Sequence, residues 1–370
     1  MKPRFKPHTD DKHQQGGEIH ILAEECLSLG SMVHYLADTY FGSVVKNEVL
    51  RMFLKNEAIS ERYANALLAI ENIAGAYYYQ GRLADALALW QSGEQLLHFE
   101  EVREAERVGF LLKYADFLVD HYFLTNQQER LMRTIVQQAR EEAIAGEDEQ
   151  SIATAIYQIS RMLYYCNLNT GSSDYTETRS YMRQALERYE RIDDKHGIAQ
   201  SLFFIGLTYE RHKEEEQARG YYRQALDIGR EYDDKWVIAE TTRHLAGLNL
   251  GKDNDTSLRY ALESLRRREE AGFKRALPSA HLLASRVYQE RDEMELASEH
   301  AQRAQELAEE MELRSSLMSV LLTQGEIQQK QGNADAARAS FEKAAALAEE
   351  LGLAYGIAAA KANLAHVKAS

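Results

Sequence analysis

Two segments of this chain have nearly the same sequence. RSYMRQALERYERIDDKHGIA begins at Arg179 and RGYYRQALDIGREYDDKWVIA begins at Arg219, and 11 of their 21 aligned positions are identical. A unit that repeats at a fixed period cannot bury its apolar face alone and must stack on its neighbours. The repeat therefore predicts one continuous array rather than a set of separate globular domains.

The composition indicates that this array is made of helices. The chain has 370 residues but three prolines, and Pro278 is the one proline that follows Pro7. Proline ends or kinks a helix, whereas the Ala, Leu, Glu, Gln and Arg that fill most of the rest favour one. We therefore expect an all-α protein, a right-handed α-solenoid of antiparallel helix pairs without a β-sheet.

The charge and the polar N-terminus limit the classes of partner. The chain has 44 Lys and Arg against 58 Asp and Glu, a formal net charge of −14, which opposes binding to a phosphate backbone. The segment 1–17 is polar and contains no apolar core of a secretory signal. No run approaches the ~20 apolar residues of a membrane helix. The sequence thus predicts a cytoplasmic protein that binds neither nucleic acid nor membrane, and it leaves the oligomeric state open.

Small and large residues follow one another in the same order in several units. In the unit that shows this best, Gly206 and Tyr209 lie in the first helix, and Ala218, Tyr222 and Ala225 lie in the second. Small side chains let two antiparallel helices approach closely, and large ones fill the space between successive pairs. This order resembles the motif of the tetratricopeptide repeat family, and the resemblance implies the family's helix pairs and its ligand-binding groove.

The repeating unit is longer than is usual in that family, at ~40 positions against a typical ~34. Its length follows from the successive anchor residues of the second helices, which are Thr178, Ala218, Ser257, Ala297 and Ala337. This spacing predicts longer helices or longer loops. The expected organisation is a flexible tail at 1–17, capping helices at 18–58, an array of about seven helix pairs at 59–351 and a C-terminal capping helix at 352–370.

Two units depart from the pattern. In the unit that covers residues 101–145, Leu131 and Ile135 stand where alanine and an aromatic residue are expected. The next unit carries an extended turn-loop, which we expect to run from Cys166 to Glu177. Insertions in repeat arrays collect in loops on one face, although long surface loops are also tolerated at little cost.

No catalytic signature is visible in the sequence. Two acidic pairs, which begin at Asp193 and Asp233, recur with the period of the array. We interpret them as turns that precede the next helix, because the dipole at a helix N-terminus favours negative charge. The histidines His8, His13 and His20 near the N-terminus fit no standard metal-ligand spacing. We expect no catalytic residue, no cofactor and no bound metal.

In the tetratricopeptide family the first helix of each pair lines a concave groove that binds a peptide. Carrying that face onto this chain predicts a ligand-binding set, which consists of Tyr157, Arg161, Tyr164, Phe203, Arg243 and Arg286. Tyrosine and arginine often dominate binding energy, and arginine can recognise a carboxylate. Alternatively, the tyrosines fill space between long helices, and the arginines form internal salt bridges with Glu210 or Glu240.

These observations favour a non-enzymatic scaffold that binds a peptide or protein segment in its groove. The length, the helical composition and the long repeating units also resemble the bacterial Rap family of peptide-sensing regulators, which implies a signalling function as an alternative. No functional residue of that family can be matched within residues 18–55. A third function, as an enzyme or small-molecule receptor, would require a deep enclosed pocket lined by Tyr157, Arg161 and Tyr164.

Overall fold

The structure is a computed structural model that describes residues 59–369. The chain divides into two compact units, residues 1–68 and 69–370. Of the first unit only residues 59–68 are described, and they form the beginning of a helix. The tail expected at 1–17 and the capping helices expected at 18–58 therefore lie outside the described residues.

Fifteen α-helices and one short 3-10 helix make up the regular structure of residues 59–369, which contain no β-strand. The α-helices are α1 (Ile59–Tyr79), α2 (Leu83–Leu96), α3 (Glu104–Thr125), α4 (Glu129–Ala145), α5 (Glu149–Thr170), α6 (Thr176–Arg191), α7 (Lys195–Arg211), α8 (Glu215–Glu231), α9 (Lys235–Asn249), α10 (Asn254–Glu270), α11 (Leu277–Glu290), α12 (Met294–Glu310), α13 (Arg314–Lys330), α14 (Ala334–Glu350) and α15 (Ala354–Ala369). The 3-10 helix, Lys274–Ala276, lies between α10 and α11. The prediction of an all-α protein is confirmed.

The helices follow one another as pairs with short turns. The odd-numbered helices from α1 to α13 are the first helices of seven pairs, and α15 follows the last pair. From α5 onward each helix packs against the next along the chain, and from α3 onward successive first helices also touch each other. Such nearest-neighbour stacking is the arrangement of a helical solenoid. The first helices consequently share one face of the array.

The turns between pairs follow the acidic pattern found in the sequence. Asp193 and Asp233 have φ angles of 58° and 51°, so both lie in the left-handed region. The next residues, Asp194 and Asp234, each accept a hydrogen bond of 3.0 Å from the backbone N–H three positions further on. These bonds cap the N-termini of α7 and α9. The interpretation of the acidic pairs as helix-preceding turns is confirmed.

The small and large residues of the motif pack directly on each other. A Cβ atom at Gly206 would lie 2.6 Å from the ring of Tyr222, and one at Gly325 would lie closer still to the ring of Phe341. Both rings are fully buried, with 0% of their surface exposed. Non-bonded carbons pack at about 3.5–4.0 Å, so only glycine allows this approach between the two helices of a pair.

Two predicted details are wrong. The loop expected to start at Cys166 starts later, because α5 continues to Thr170, whose hydroxyl donates to the carbonyl oxygen of Cys166 at 2.8 Å. In α4 Ile135 is fully buried, but Leu131 is only partly buried, and Met132, at 0% exposure, lies in the helix contact instead. Because this unit has no alanine at the contact, its sequence contains no residue that indicates which face of α4 is buried.

Candidate functional site

Charged and tyrosine side chains connect helices of different pairs along one side of the array. They come from the first helices α1, α3, α5, α7 and α9, from α10 and from the 3-10 helix. We call them the ionic network, and its members are Tyr78, Asp116, Asp120, Arg161, Glu210, Glu240, Arg243, His244, Arg268 and Arg275. Bonds between successive first helices join residues about one repeat apart, such as 41 and 45 positions within the Arg161 contacts.

Arg161 lies at the centre of one half of the network. Its guanidinium donates to a carboxylate oxygen of Asp116 and to one of Asp120. The two aspartates are one helical turn apart on α3, so both carboxylates reach the same guanidinium. The Arg161 side chain is only 5% exposed and lies 5.5 Å from the ring centre of Tyr157. Two negative charges thus share one buried positive charge.

Arg275 adds a second positive charge from a distant part of the chain. Its guanidinium donates to the hydroxyl oxygen of Tyr78, and this hydroxyl in turn donates to Asp120. The guanidinium carbon lies 4.3 Å from the ring centre of Tyr78, and a guanidinium nitrogen lies 3.8 Å from a carboxylate oxygen of Asp120. Burial raises the pKa of Tyr78 well above its usual value, with the charge of Arg275 acting against it. The phenol therefore keeps its proton.

Glu240 on α9 anchors the other half of the network. Arg268, whose side chain is 1% exposed, donates to Glu240 at 2.5 Å, and Arg243 donates through Nε at 3.1 Å. Burial alone would raise the pKa of Glu240, but the guanidinium of Arg268 and then that of Arg243 overcome it and hold the pKa at about 2. Glu240 is therefore ionised at neutral pH and binds two arginines.

His244 joins this half to Glu210 on α7. A guanidinium nitrogen of Arg243 lies 2.6 Å from Nε2 of His244 and can only donate, so Nε2 accepts. The ring proton is then on Nδ1, which donates to Glu210 at 2.8 Å. Burial, followed by the charge of Arg243, lowers the pKa of His244, which agrees with a neutral ring. The hydroxyl of Tyr222 donates to the same carboxylate oxygen at 2.6 Å.

The six residues predicted to bind ligand lie in two environments. Four of them are at most 4% exposed, and these are Tyr157, Arg161, Tyr164 and Phe203. The side chain of Arg243 is 34% exposed, and Arg286 is exposed on α11. The structure brings Arg161 onto Tyr157 and sets the ring of Phe203 5.4 Å from that of His244, beside Arg243. Whether the set contacts a ligand stays a prediction.

Two of the predicted arginines form internal ion pairs, as the alternative interpretation of these residues proposed. Arg243 is paired with Glu240, as that alternative specified. Arg161 is paired as well, but with Asp116 and Asp120 rather than with a glutamate. These arginines consequently have a structural role whether or not they also contact a ligand.

Sequence reasoning missed the two members of the network that lie outside the first helices. Arg268 belongs to α10, the second helix of its pair, and Arg275 belongs to the 3-10 helix. A search confined to the first helices of a repeat motif cannot find either. The one available signal was local: the turn after α10 lacks the repeated Asp-Asp-Lys sequence and contains Pro278 shortly afterwards.

Among residues 59–369 no group of three or more His, Cys, Asp or Glu side chains is arranged to hold a metal ion. Within the same range no helix combines the length and the apolar character needed to cross a bilayer.

Comparison with known families identifies the repeats. Tetratricopeptide repeat models match residues 158–231, which include most of α5 to α8, and residues 319–351, which include most of α13 and α14. The resemblance predicted from Gly206, Tyr222 and their neighbours is confirmed. A search of the curated proteins found no match.

Several solved structures have a similar fold. NprR in complex with its cognate peptide NprX has a TM-score of 0.56 and 11% identity, over 97% of this chain and 100% of that chain. The apo form of the quorum sensor NprR from B. thuringiensis has a TM-score of 0.52 and 12% identity, over 94% and 98%. A Rap protein complexed with competence and sporulation factor has a TM-score of 0.50 and 15% identity, over 82% and 98%. Two segments of the chain therefore match tetratricopeptide repeats, and the chain folds as a helical solenoid similar to those of NprR and Rap.

Proposed function

We propose that this chain is a cytoplasmic, non-enzymatic scaffold that binds a peptide or protein segment along the face formed by its first helices. The ionic network carries the proposal. Buried ion pairs cost desolvation free energy, and well-packed apolar side chains often replace them without loss of stability. Folding alone therefore does not require arginines and carboxylates on several successive first helices. Binding of a ligand would explain why these charged side chains are present.

The similar folds support a peptide as the ligand. NprR has been solved with its cognate peptide and a Rap protein with competence and sporulation factor, so this type of solenoid can hold a peptide. A regulatory function of the NprR or Rap kind is the natural extension of the proposal, since binding of a small peptide would then change how the array meets another protein.

Within the predicted ligand-binding set we assign direct contact to Arg243 and Arg286, because their side chains reach solvent. The buried members, Tyr157, Arg161 and Tyr164, would shape and support the wall behind them. Phe203 would do the same for His244 and Arg243. This division follows from burial alone, since a side chain exposed by a few per cent offers almost no surface to a ligand.

The proposal is tested by capturing the ligand and then altering the face. We expect pull-down of the tagged protein from its native cells, followed by mass spectrometry, to yield a peptide or protein segment. Replacement of Arg243 or Arg286 by alanine should weaken binding of that segment at least about tenfold, because arginine anchors can contribute about 2 kcal/mol or more. Isothermal titration calorimetry measures the affinity, and thermal unfolding shows whether the fold is retained.

A matched control comes from the opposite side of a helix pair. Arg223 is exposed on α8, a second helix, and Arg223→Ala should leave the affinity unchanged. Equal affinity of the Arg243, Arg286 and Arg223 variants would show that the ligand lies elsewhere, and the proposed face would then be abandoned.

A further inference from the structure

A turn from the later half of the array covers the end of α1. Arg275 contacts Tyr78, which is 197 positions earlier. The neighbouring rings of Tyr79 and Phe273 stack with centres 5.3 Å apart and planes inclined by 17°. The turn after α1 is covered as well, because a Cβ atom added to Gly81 would lie 3.0 Å from the side chain of Met311. The chain thus places its own side chains on the first-helix face.

The surroundings of Arg275 are those of a bound cation. The guanidinium lies over the face of the Tyr78 ring, at a distance typical of cation–π contacts, and donates to the phenol oxygen. A carboxylate oxygen of Asp120 lies 3.8 Å away. An aromatic face combined with a carboxylate is a general way to recognise a guanidinium or ammonium group.

The charges around Tyr78 are incomplete without this cation. Asp116 and Asp120 bring two negative charges, and Arg161 neutralises one of them. Arg275 supplies the remaining positive charge from outside the first helices. Since the Asp120 side chain is only 22% exposed, a positive charge beside it is favourable, and the site attracts a cation.

Arg275 fills the site imperfectly. Its Nε atom is buried and has no hydrogen-bond partner among the described residues. Its approach to Asp120, at 3.8 Å, is longer than the ~2.7–2.9 Å of a charge-assisted hydrogen bond. Asp116 remains 54% exposed and open to a further donor. A guanidinium that is not tethered to the turn after α10 could bind both carboxylates more closely.

We propose that Tyr78, Asp116 and Asp120 form a binding site for the guanidinium or ammonium group of a ligand, and that Arg275 occupies this site in the free protein. The inference rests on the proposed peptide-binding function and specifies its chemistry: the ligand carries an arginine or lysine side chain. Arg275 is then an internal competitor that leaves when the ligand enters, and its departure uncovers the end of α1.

The test removes the competitor and offers a small replacement. In Arg275→Ala the probe N-acetyl-arginine methylamide should bind the vacated site. At about ten times its Kd it should raise the Tm of the variant by about 3 °C, because it binds only the folded state. The unaltered protein should show a much smaller rise, since its site is filled. N-acetyl-citrulline methylamide, which has the same shape without the charge, should raise neither Tm.

Further variants keep the test decisive. Arg275→Met keeps an unbranched apolar side chain at this position and so guards against loss of the fold, which circular dichroism checks. Arg266→Ala removes an exposed arginine of α10 and should behave like the unaltered protein. Adding Asp120→Asn to Arg275→Met should abolish the rise in Tm. If the arginine probe does not raise the Tm of either Arg275 variant, or if the citrulline probe raises it as much, the inference is wrong.

The outcome separates this inference from the proposed function. The probe experiment requires no captured peptide and does not alter Arg243 or Arg286. A peptide that binds through those arginines while the probe fails would retain the function and reject the cation site. If the probe binds but the pull-down yields no peptide, the cation site is retained. Its natural ligand is then not a peptide that binds along the first helices.

Discussion

The central units and the last units of the array share one packing scheme but bury different kinds of polar group. A glycine of the first helix lies against a ring of the second in both, as Gly206 does with Tyr222 and Gly325 with Phe341. In the central units Arg161 and Arg268 are buried, at 4% and 1% exposure. In α11 to α14 the buried polar side chains are uncharged, and these are Ser285, Gln289, Thr323 and Ser340.

This difference separates two tasks of the repeat. The glycine–aromatic pair and the buried alanines hold helix to helix in every unit where they occur, so they specify the fold. The last units pack in the same way without buried charges, so the charges of the central units are not needed for this packing. Stability should therefore depend on side-chain packing in the last units and additionally on charge pairing in the central ones. Three measurements test this difference.

The largest effect is expected from Phe341→Ala in the last pair. The ring is fully buried, and its removal should lower the free energy of unfolding by about 4 kcal/mol through lost burial and the cavity left behind. Because no charge is involved, the loss should be the same at low and high salt. Urea denaturation measures it. Adding Gly325→Ala should recover part of the loss, since the new Cβ atom would enter the cavity; full additivity would contradict the observed packing.

A smaller loss is expected from Glu240→Gln in the central units. It leaves Arg268 buried without its counter-charge, which should lower the free energy of unfolding at pH 7 by about 3 kcal/mol. The pKa of Glu240 is held at about 2, below its usual value, so its stabilising effect is present above about pH 4.5 and is lost as the pH falls towards 2. Urea denaturation at pH 7 and at pH 3 should therefore show the variant closer to the unaltered protein at the lower pH.

The control for this variant is a similar pair at the surface. Glu263 binds Arg230, whose side chain is 46% exposed, so Glu263→Gln should change the free energy of unfolding by less than about 1 kcal/mol at either pH. A cost for Glu240→Gln no greater than that of the control would show that the buried pairs contribute little to the central units.

The smallest effect concerns two histidines of the last units. Nδ1 of His281 lies 2.9 Å from Nδ1 of His300, and burial, followed by the charge of His300, lowers the pKa of His281 to about 4. The folded state then favours the neutral ring, so stability is complete above about pH 6.5 and falls as the pH drops towards 4. Between pH 7 and pH 5 we expect a loss of about 1 kcal/mol, which His281→Gln should largely remove. Thermal unfolding across this range checks it, and an unchanged slope in the variant would exclude His281 as the group that titrates.

The parts of the structure that could be predicted from the sequence are those that recur with the period. The helix pairs, the acidic turns at Asp193 and Asp233, and the glycine contacts depend on residues within one unit or the next, so each copy carries its own signal. In α4 the position of Ile135 was correct but that of Leu131 was not, because the unit lacks the small residue that marks the contact, and Met132 is buried there instead.

The candidate site was predicted less completely for a related reason. Arg161 and Arg243, two members of the predicted ligand-binding set, belong to the ionic network. Their partners could not be assigned, because one aspartate resembles another in sequence and only coordinates show which carboxylate reaches Arg161. The contact of Arg275 with Tyr78 had no periodic signal, since it joins units far apart in the array; only the departure of the turn after α10 from the repeat marked this region.

The tie between Arg275 and Tyr78 has a consequence for how the array unfolds. Neighbouring units are joined by bonds such as Arg211 to Tyr164, which spans 47 positions, whereas this tie spans 197. A linear array held only by neighbours frays from its ends, one unit at a time. A contact between distant units opposes such stepwise unfolding, because the early units cannot unfold without also losing their contact with the later ones. Amide hydrogens in α1 and α11 should consequently exchange in a single cooperative event rather than in sequence.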